Sequence, residues 1–149
     1  MRRKEFGEAE DAFRRVLVSD AANLAARLGL AKIYVASGQR SQAIEQCEYV
    51  GRLYQSAGEP ERAVEIFRRV LALDPSRALA HVSLADLLLG NGGGSEARTL
   101  LDRALELSAS DAKVRSQVLE RLLQLEPGNR ALRLAWADAL VMQDRVKDA

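Results

Sequence analysis

A five-residue string, Phe13-Arg14-Arg15-Val16-Leu17, recurs letter for letter as Phe67-Arg68-Arg69-Val70-Leu71, 54 positions further along the chain. A looser version, Leu119-Glu120-Arg121-Leu122-Leu123, follows after another 52 positions, and its exit Glu126-Pro127 echoes Asp74-Pro75. Apolar letters spaced i, i+3 and i+4 place each copy on an amphipathic helix. A helical segment copied along a chain stacks on its copies, and stacking makes an extended surface rather than one enclosed catalytic pocket.

Periodicity divides the rest of the chain into further helices. The first spans 4–18, with Phe6, Ala9, Phe13, Val16 and Leu17 on one face. Asn23 caps a second over 24–37, stopped by Gly38. Ser41 is expected to cap a third that ends at Gly58, and Pro60 opens a fourth that Asp74-Pro75 terminates. A fifth covers 77–89, broken by Gly90-Asn91-Gly92-Gly93-Gly94, and a sixth covers 95–107. The seventh covers 111–125 and the eighth 130–142, while 144–149 reads as the start of another helix cut short. Nothing reads as strand. The 48% apolar but only 5% aromatic composition agrees, because a core of Ala, Leu and Val suits close-packed helices. Connections this short make successive helices antiparallel neighbours.

These residues resemble the tetratricopeptide repeat, a 34-residue helix-turn-helix unit of pattern W-x2-L-G-x2-Y…A-x3-F…P. The best match is 44–77, where Val50-Gly51-x2-Tyr54, Gly58, Ala63-x3-Phe67 and Pro75 take the successive places. The unit 78–111 follows without a gap, with Leu84-Ala85-x2-Leu88, Gly92, Ala97-x3-Leu101 and Ala104; Ala109 replaces the proline. Partial repeats cover 1–23, 24–43, 112–129 and 130–149. Gly58 comes only 20 residues after Gly38, so the helix between them closes one unit and opens the next. The resemblance implies a single all-α domain, an α-solenoid of about eight helices in antiparallel pairs, wound as a right-handed superhelix with irregular repeats. Both ends look cut from a longer array, so the parent is expected to continue or the terminal helices to self-associate.

Catalytic and metal chemistry have little to stand on. His81 is the sole histidine and Cys47 the sole cysteine, and both read as packing residues. They cannot build a zinc site without many carboxylates. The glycine run at 90–94 follows a helix and lacks the Lys-Ser/Thr ending of a phosphate loop. No cofactor is expected. A net charge of +1 gives no footprint for nucleic acid, and no stretch approaches the ~18 apolar residues of a membrane span. The lone Cys47 suits a reducing compartment. The expected location is cytoplasmic, or periplasmic if a longer parent carries a signal. Arginine far outnumbers lysine beside abundant alanine, which points to a bacterial source.

In the family that the chain resembles, first helices line the binding surface. Mapped here, those positions are Lys32 and Val35, then Glu48, Arg52 and Gln55. Val82, Asp86 and Leu89 follow, and Leu134, Asp138 and Val141 complete the set. Mixed charges with aliphatic residues suit a peptide, helix or small domain of another protein rather than an anionic polymer. The carboxylate clamp of the family's chaperone-binding members is not matched, since Glu48, Arg52, Val82 and Asp86 occupy those places. The resemblance thus implies a non-enzymatic scaffold or adaptor, of the kind that assembles bacterial secretion, pilus or polarity machinery. The alternative is a regulatory or substrate-recruiting repeat domain of a larger enzyme.

Overall fold

The structure is a computed structural model that describes the backbone of residues 2–147 and the side chains of residues 5–144. Among the described residues there are eight α-helices and no strand. They are α1 (Arg2–Ser19), α2 (Leu24–Ala36), α3 (Arg40–Ser56), α4 (Pro60–Leu73), α5 (Ala78–Gly90), α6 (Gly94–Leu107), α7 (Ala112–Leu125) and α8 (Arg130–Lys147). The chain divides into two compact units, Met1–Pro75 and Ser76–Ala149.

Two kinds of turn join the helices, and each follows from its letters. After α2, α3 and α5 the turn carries a glycine in the left-handed region, at Gly38 (φ 77°), Gly58 (φ 73°) and Gly92 (φ 80°). Each glycine lets its own N–H and that of the next residue fold back onto the helix just ended. Gly38 and Gln39 donate to Val35 and Tyr34, Gly58 and Glu59 to Gln55 and Tyr54, and Gly92 and Gly93 to Leu89 and Leu88. The other connections are one residue longer, and three of them close on a capping side chain. Asn23 accepts from the N–H of Ala26 at 3.0 Å, Asp111 from Val114 at 3.0 Å and Asn129 from Leu132 at 3.1 Å.

Two expectations at helix ends are corrected. Ser41 is not a cap; α3 starts at Arg40, two residues earlier than a Ser41 cap implies, and Gln39 is its cap residue, without a side-chain bond. The Gly38 turn delivers the chain into the helix early enough for the Gln39 carbonyl to accept from Ala43 directly. Residues 144–147 do not start a new helix, because α8 runs through them to Lys147. The glycines that end α5 have no counterpart there, where the chain reads Gln143-Asp144-Arg145-Val146. Ala149, read as the first packing residue of a further helix, lies outside the described residues.

In the first unit α1 packs on α2, α2 on α3 and α3 on α4. Leu30, Tyr34 and Ala43 form a buried cluster with Phe13, Leu17 and Leu73 against it. Both copies of the repeated phenylalanine lie over a glycine. The Phe67 ring sits 2.8 Å from where a Cβ on Gly51 would stand, and the Phe13 ring 2.4 Å from the same place on Gly29. In the second unit α5 packs on α6 and α7, α6 on α7, and α7 on α8. Its core joins Val82 and Ala85 of α5, Ala97, Leu101 and Ala104 of α6, and Val118 and Leu122 of α7.

Candidate functional site

What a helical stack can offer a partner is the residues left over once its core is packed. On α2 the residues Leu30, Ala31, Ile33 and Tyr34 turn inward, leaving Lys32 and Val35 exposed three positions apart. On α3 the inward set is Ala43, Ile44, Cys47, Val50 and Gly51. Arg52 and Gln55 are therefore exposed, with Glu48 half-buried one turn before them. Two helices packed on each other thus each carry an accessible stripe of mixed polarity.

The α2–α3 pair is braced by contacts that the periodicity of the sequence does not show. The Arg27 guanidinium lies 3.4 Å from the centroid of the Tyr49 ring. It also donates to Gln46 Oε1 at 2.9 Å and to the Ala21 carbonyl at 2.8 Å. At the α1–α2 junction the Tyr34 hydroxyl donates to Glu10 Oε1 at 3.1 Å and accepts from Arg14, itself 2.7 Å from Glu10. The hydrogen bond that Arg14 donates to Tyr34, with the nearby Glu10 carboxylate, raises the Arg14 pKa above its ordinary value. A surface depression of about 330 Å³ opens beside this network, lined by Phe6, Gly7, Glu10, Ile33, Ser37 and Gln39.

On α5 the expected positions are already occupied. Val82 is buried in the second unit's core at 5% exposure and presents no side chain to a partner. Leu89 is half-buried against the same core. Asp86 accepts both of its hydrogen bonds from Arg121 Nε, at 2.7 and 2.9 Å. The reason is that α5 packs on both α6 and α7, and its run Leu84-Ala85-x-Leu87-Leu88-Leu89 is apolar all round. Arg121 was legible only as a letter in the third copy of the repeated string. On α8, by contrast, Leu134 (70%), Asp138 and Val141 (52%) are all exposed and share one face.

Cys47 is fully buried, and burial pushes its thiol pKa up, with Arg69 opposing and Glu48 adding to the shift. A thiol held protonated in this way is a packing group, not a nucleophile. His81 is buried at 8% exposure in α5. Among the described residues no group of three or more His, Cys, Asp or Glu is placed to hold a metal ion. No helix among them is long and apolar enough to cross a membrane.

A family model described as tetratricopeptide repeat matches residues 1–50 and 54–116. Among solved structures, MamA is similar at a TM-score of 0.59 and 18% identity, with 99% of this chain and 94% of that chain covered. The nearly identical TPR-like repeats of a putative kinesin light chain from Podosopora anserina are similar at a TM-score of 0.52 and 21% identity. There 99% of this chain and 91% of the other are covered. At such identities the likeness establishes the fold. No curated protein sequence matches the chain.

Proposed function

The chain belongs to the tetratricopeptide-repeat family, and from that premise we propose that it is a non-enzymatic scaffold that docks a peptide, helix or small domain of another protein. The observation that carries this reading is the accessible stripe on each of two helices packed on one another, Lys32 and Val35 on α2 and Arg52 and Gln55 on α3. A rigid core holds them, so little ordering entropy opposes binding. Aliphatic stems beside both signs of charge fit an amphipathic protein segment. The terminal helices α1 and α8 are contact surfaces in the same reading. The proposed setting is the cytoplasmic assembly of a machinery such as a secretion, pilus or polarity complex, as the family resemblance implies.

The test is a selection of displayed random peptides against the wild-type chain, followed by affinity measurement on Lys32→Glu and Arg52→Glu. Selected peptides are expected to lose about tenfold or more in affinity on at least one of these variants. Peptides that bind wild type and both variants equally would place the docking surface elsewhere.

A further inference from the structure

The outer face of α8 copies, position for position, a face that is buried elsewhere in the same chain. Setting Pro127 on Pro75 pairs Leu134 with Val82, Ala137 with Ala85, Asp138 with Asp86, Leu140 with Leu88 and Val141 with Leu89. On α5 this face is covered, with Val82 and Ala85 in the core and Asp86 held by Arg121. On α8 Leu134, Ala137, Asp138 and Val141 are all exposed. A helix apolar on both sides belongs between two neighbours, and among the described residues the one extensive helix contact of α8 is with α7.

What covers the template on α5 is, in part, α7, through Val118, Leu122 and the Arg121 guanidinium. In the alignment fixed by the repeated string, Val118, Arg121 and Leu122 correspond to Ala12, Arg15 and Val16 of α1. Those three residues are exposed, along the flank of α1 beside the Phe13 that packs on α2. The chain therefore displays both halves of a contact it makes internally between α5 and α7. One half is the Leu134, Ala137 and Asp138 face, the other the Ala12, Arg15 and Val16 face, with charges complementary in register.

We propose that the outer face of α8 docks α1 of a second copy of this chain, with Arg15 of one copy paired to Asp138 of the next as Arg121 pairs to Asp86. This rests on the scaffold reading only in treating the terminal helices as contact surfaces. The contact is head to tail, so it builds a ring where the rotation between copies closes and an open filament where it does not.

Light scattering on the full chain tests it, with circular dichroism confirming that each variant folds. Both substitution sites are surface positions, Val16 at 40% and Leu134 at 70% exposure. Wild-type mass is expected to climb above the 16.4 kDa monomer between about 1 and about 500 µM. Val16→Glu alone and Leu134→Glu alone should each be monomeric, because each lacks one half of the contact. Mixed, they should form a one-to-one dimer that grows no further. Arg15→Asp and Asp138→Arg should each weaken wild-type association about fivefold, and the double variant should regain it. A wild type monomeric throughout would overturn the proposal. So would self-association of Val16→Glu by itself, which would mean an α8-to-α8 contact, or a mixture that stays monomeric. Loss of peptide binding by Lys32→Glu or Arg52→Glu bears on neither face, so the two readings fail separately.

Discussion

Replacing Phe67 by alanine removes a ring that is 2% exposed and seated directly over the bare backbone of Gly51. Large-to-small changes of this kind cost about 3–5 kcal/mol, the upper part where the site cannot collapse. Here it cannot, since Gly51 has no side chain to move into the space and α3 is held from its other side by α2. The companion change Gly51→Ala separates two opposing effects. Alanine in a helix interior gains about 1 kcal/mol over glycine. Its Cβ, however, would stand 2.8 Å from the Phe67 ring, and overpacking of a buried ring costs about 1–3 kcal/mol. With the ring in place, Gly51→Ala should therefore destabilise by roughly 0–2 kcal/mol. In the Phe67→Ala background the clash is gone and the same change should stabilise by about 1 kcal/mol. The sign reversal is the signature, a coupling of about 1–3 kcal/mol in the cycle. Urea unfolding followed by circular dichroism measures all four proteins, using the earlier transition if the two units melt apart. If Gly51→Ala had the same sign and size in both backgrounds, the ring-on-glycine contact would not be what organises α3 and α4.

The buried Cys47 thiol gives a pH dependence of known sign. Its folded pKa is raised, so its contribution is fully present below the unfolded thiol's value of about 8.5 and is lost as pH rises from there through the folded value. The drop in urea midpoint between about pH 7 and about pH 9.5 should be smaller in Cys47→Ala than in wild type; equal drops would contradict the burial. Two glycines should respond oppositely to alanine. Gly58→Ala should cost about 1 kcal/mol net, because its φ of 73° is left-handed. Gly90→Ala should stabilise by about 0.5–1 kcal/mol, since that residue is helical and a Cβ there meets nothing within 4 Å. Thermal melts distinguish the pair by the direction of the shift.

The helices were legible because their ends are written in single letters. Gly38, Gly58 and Gly92 each supply a left-handed turn, and Asn23 and Asp111 each supply a cap. Ser41 was misread because the Gly38 turn lets α3 begin at Arg40, which puts Ser41 inside the first helical turn instead of before it. The candidate surface was legible only in part. On α2 and α3 one face is apolar, so the residues opposite it could be identified as open. On α5 the letters are apolar nearly all round, and periodicity cannot say which side a neighbour covers. Val82 and Val141 are similar in kind, yet one is core and the other surface, because among the described residues α5 packs on both α6 and α7 while α8 packs mainly on α7. The Asp86–Arg121 pair spans helices separated by another helix, a relation that no local pattern encodes.

The order of the turns explains why the repeated string recurs after three helices instead of two. In a uniform array of helix pairs, the glycine turn inside a pair alternates with the longer turn between pairs. Here α3 is both entered and left by glycine turns, so it serves as the second helix of one pair and the first of the next. The helix α7 is entered and left by the longer turns, capped by Asp111 before it and Asn129 after it, so it carries the two roles in reverse. The shared helix α3 lies between the first two copies and α7 itself carries the third, so the copies recur after three helices, 54 and then 52 positions apart, instead of after two 34-residue periods. The consequence for assembly is specific. Because α7 presents second-helix letters from a first-helix position, it brings Val118, Arg121 and Leu122 onto α5. Those letters are the ones that α1 displays to solvent, and the face they fit is the one that α8 displays. A chain whose repeats were all regular would hold no internal copy of that contact, the copy on which the proposed pairing of α1 with α8 is built.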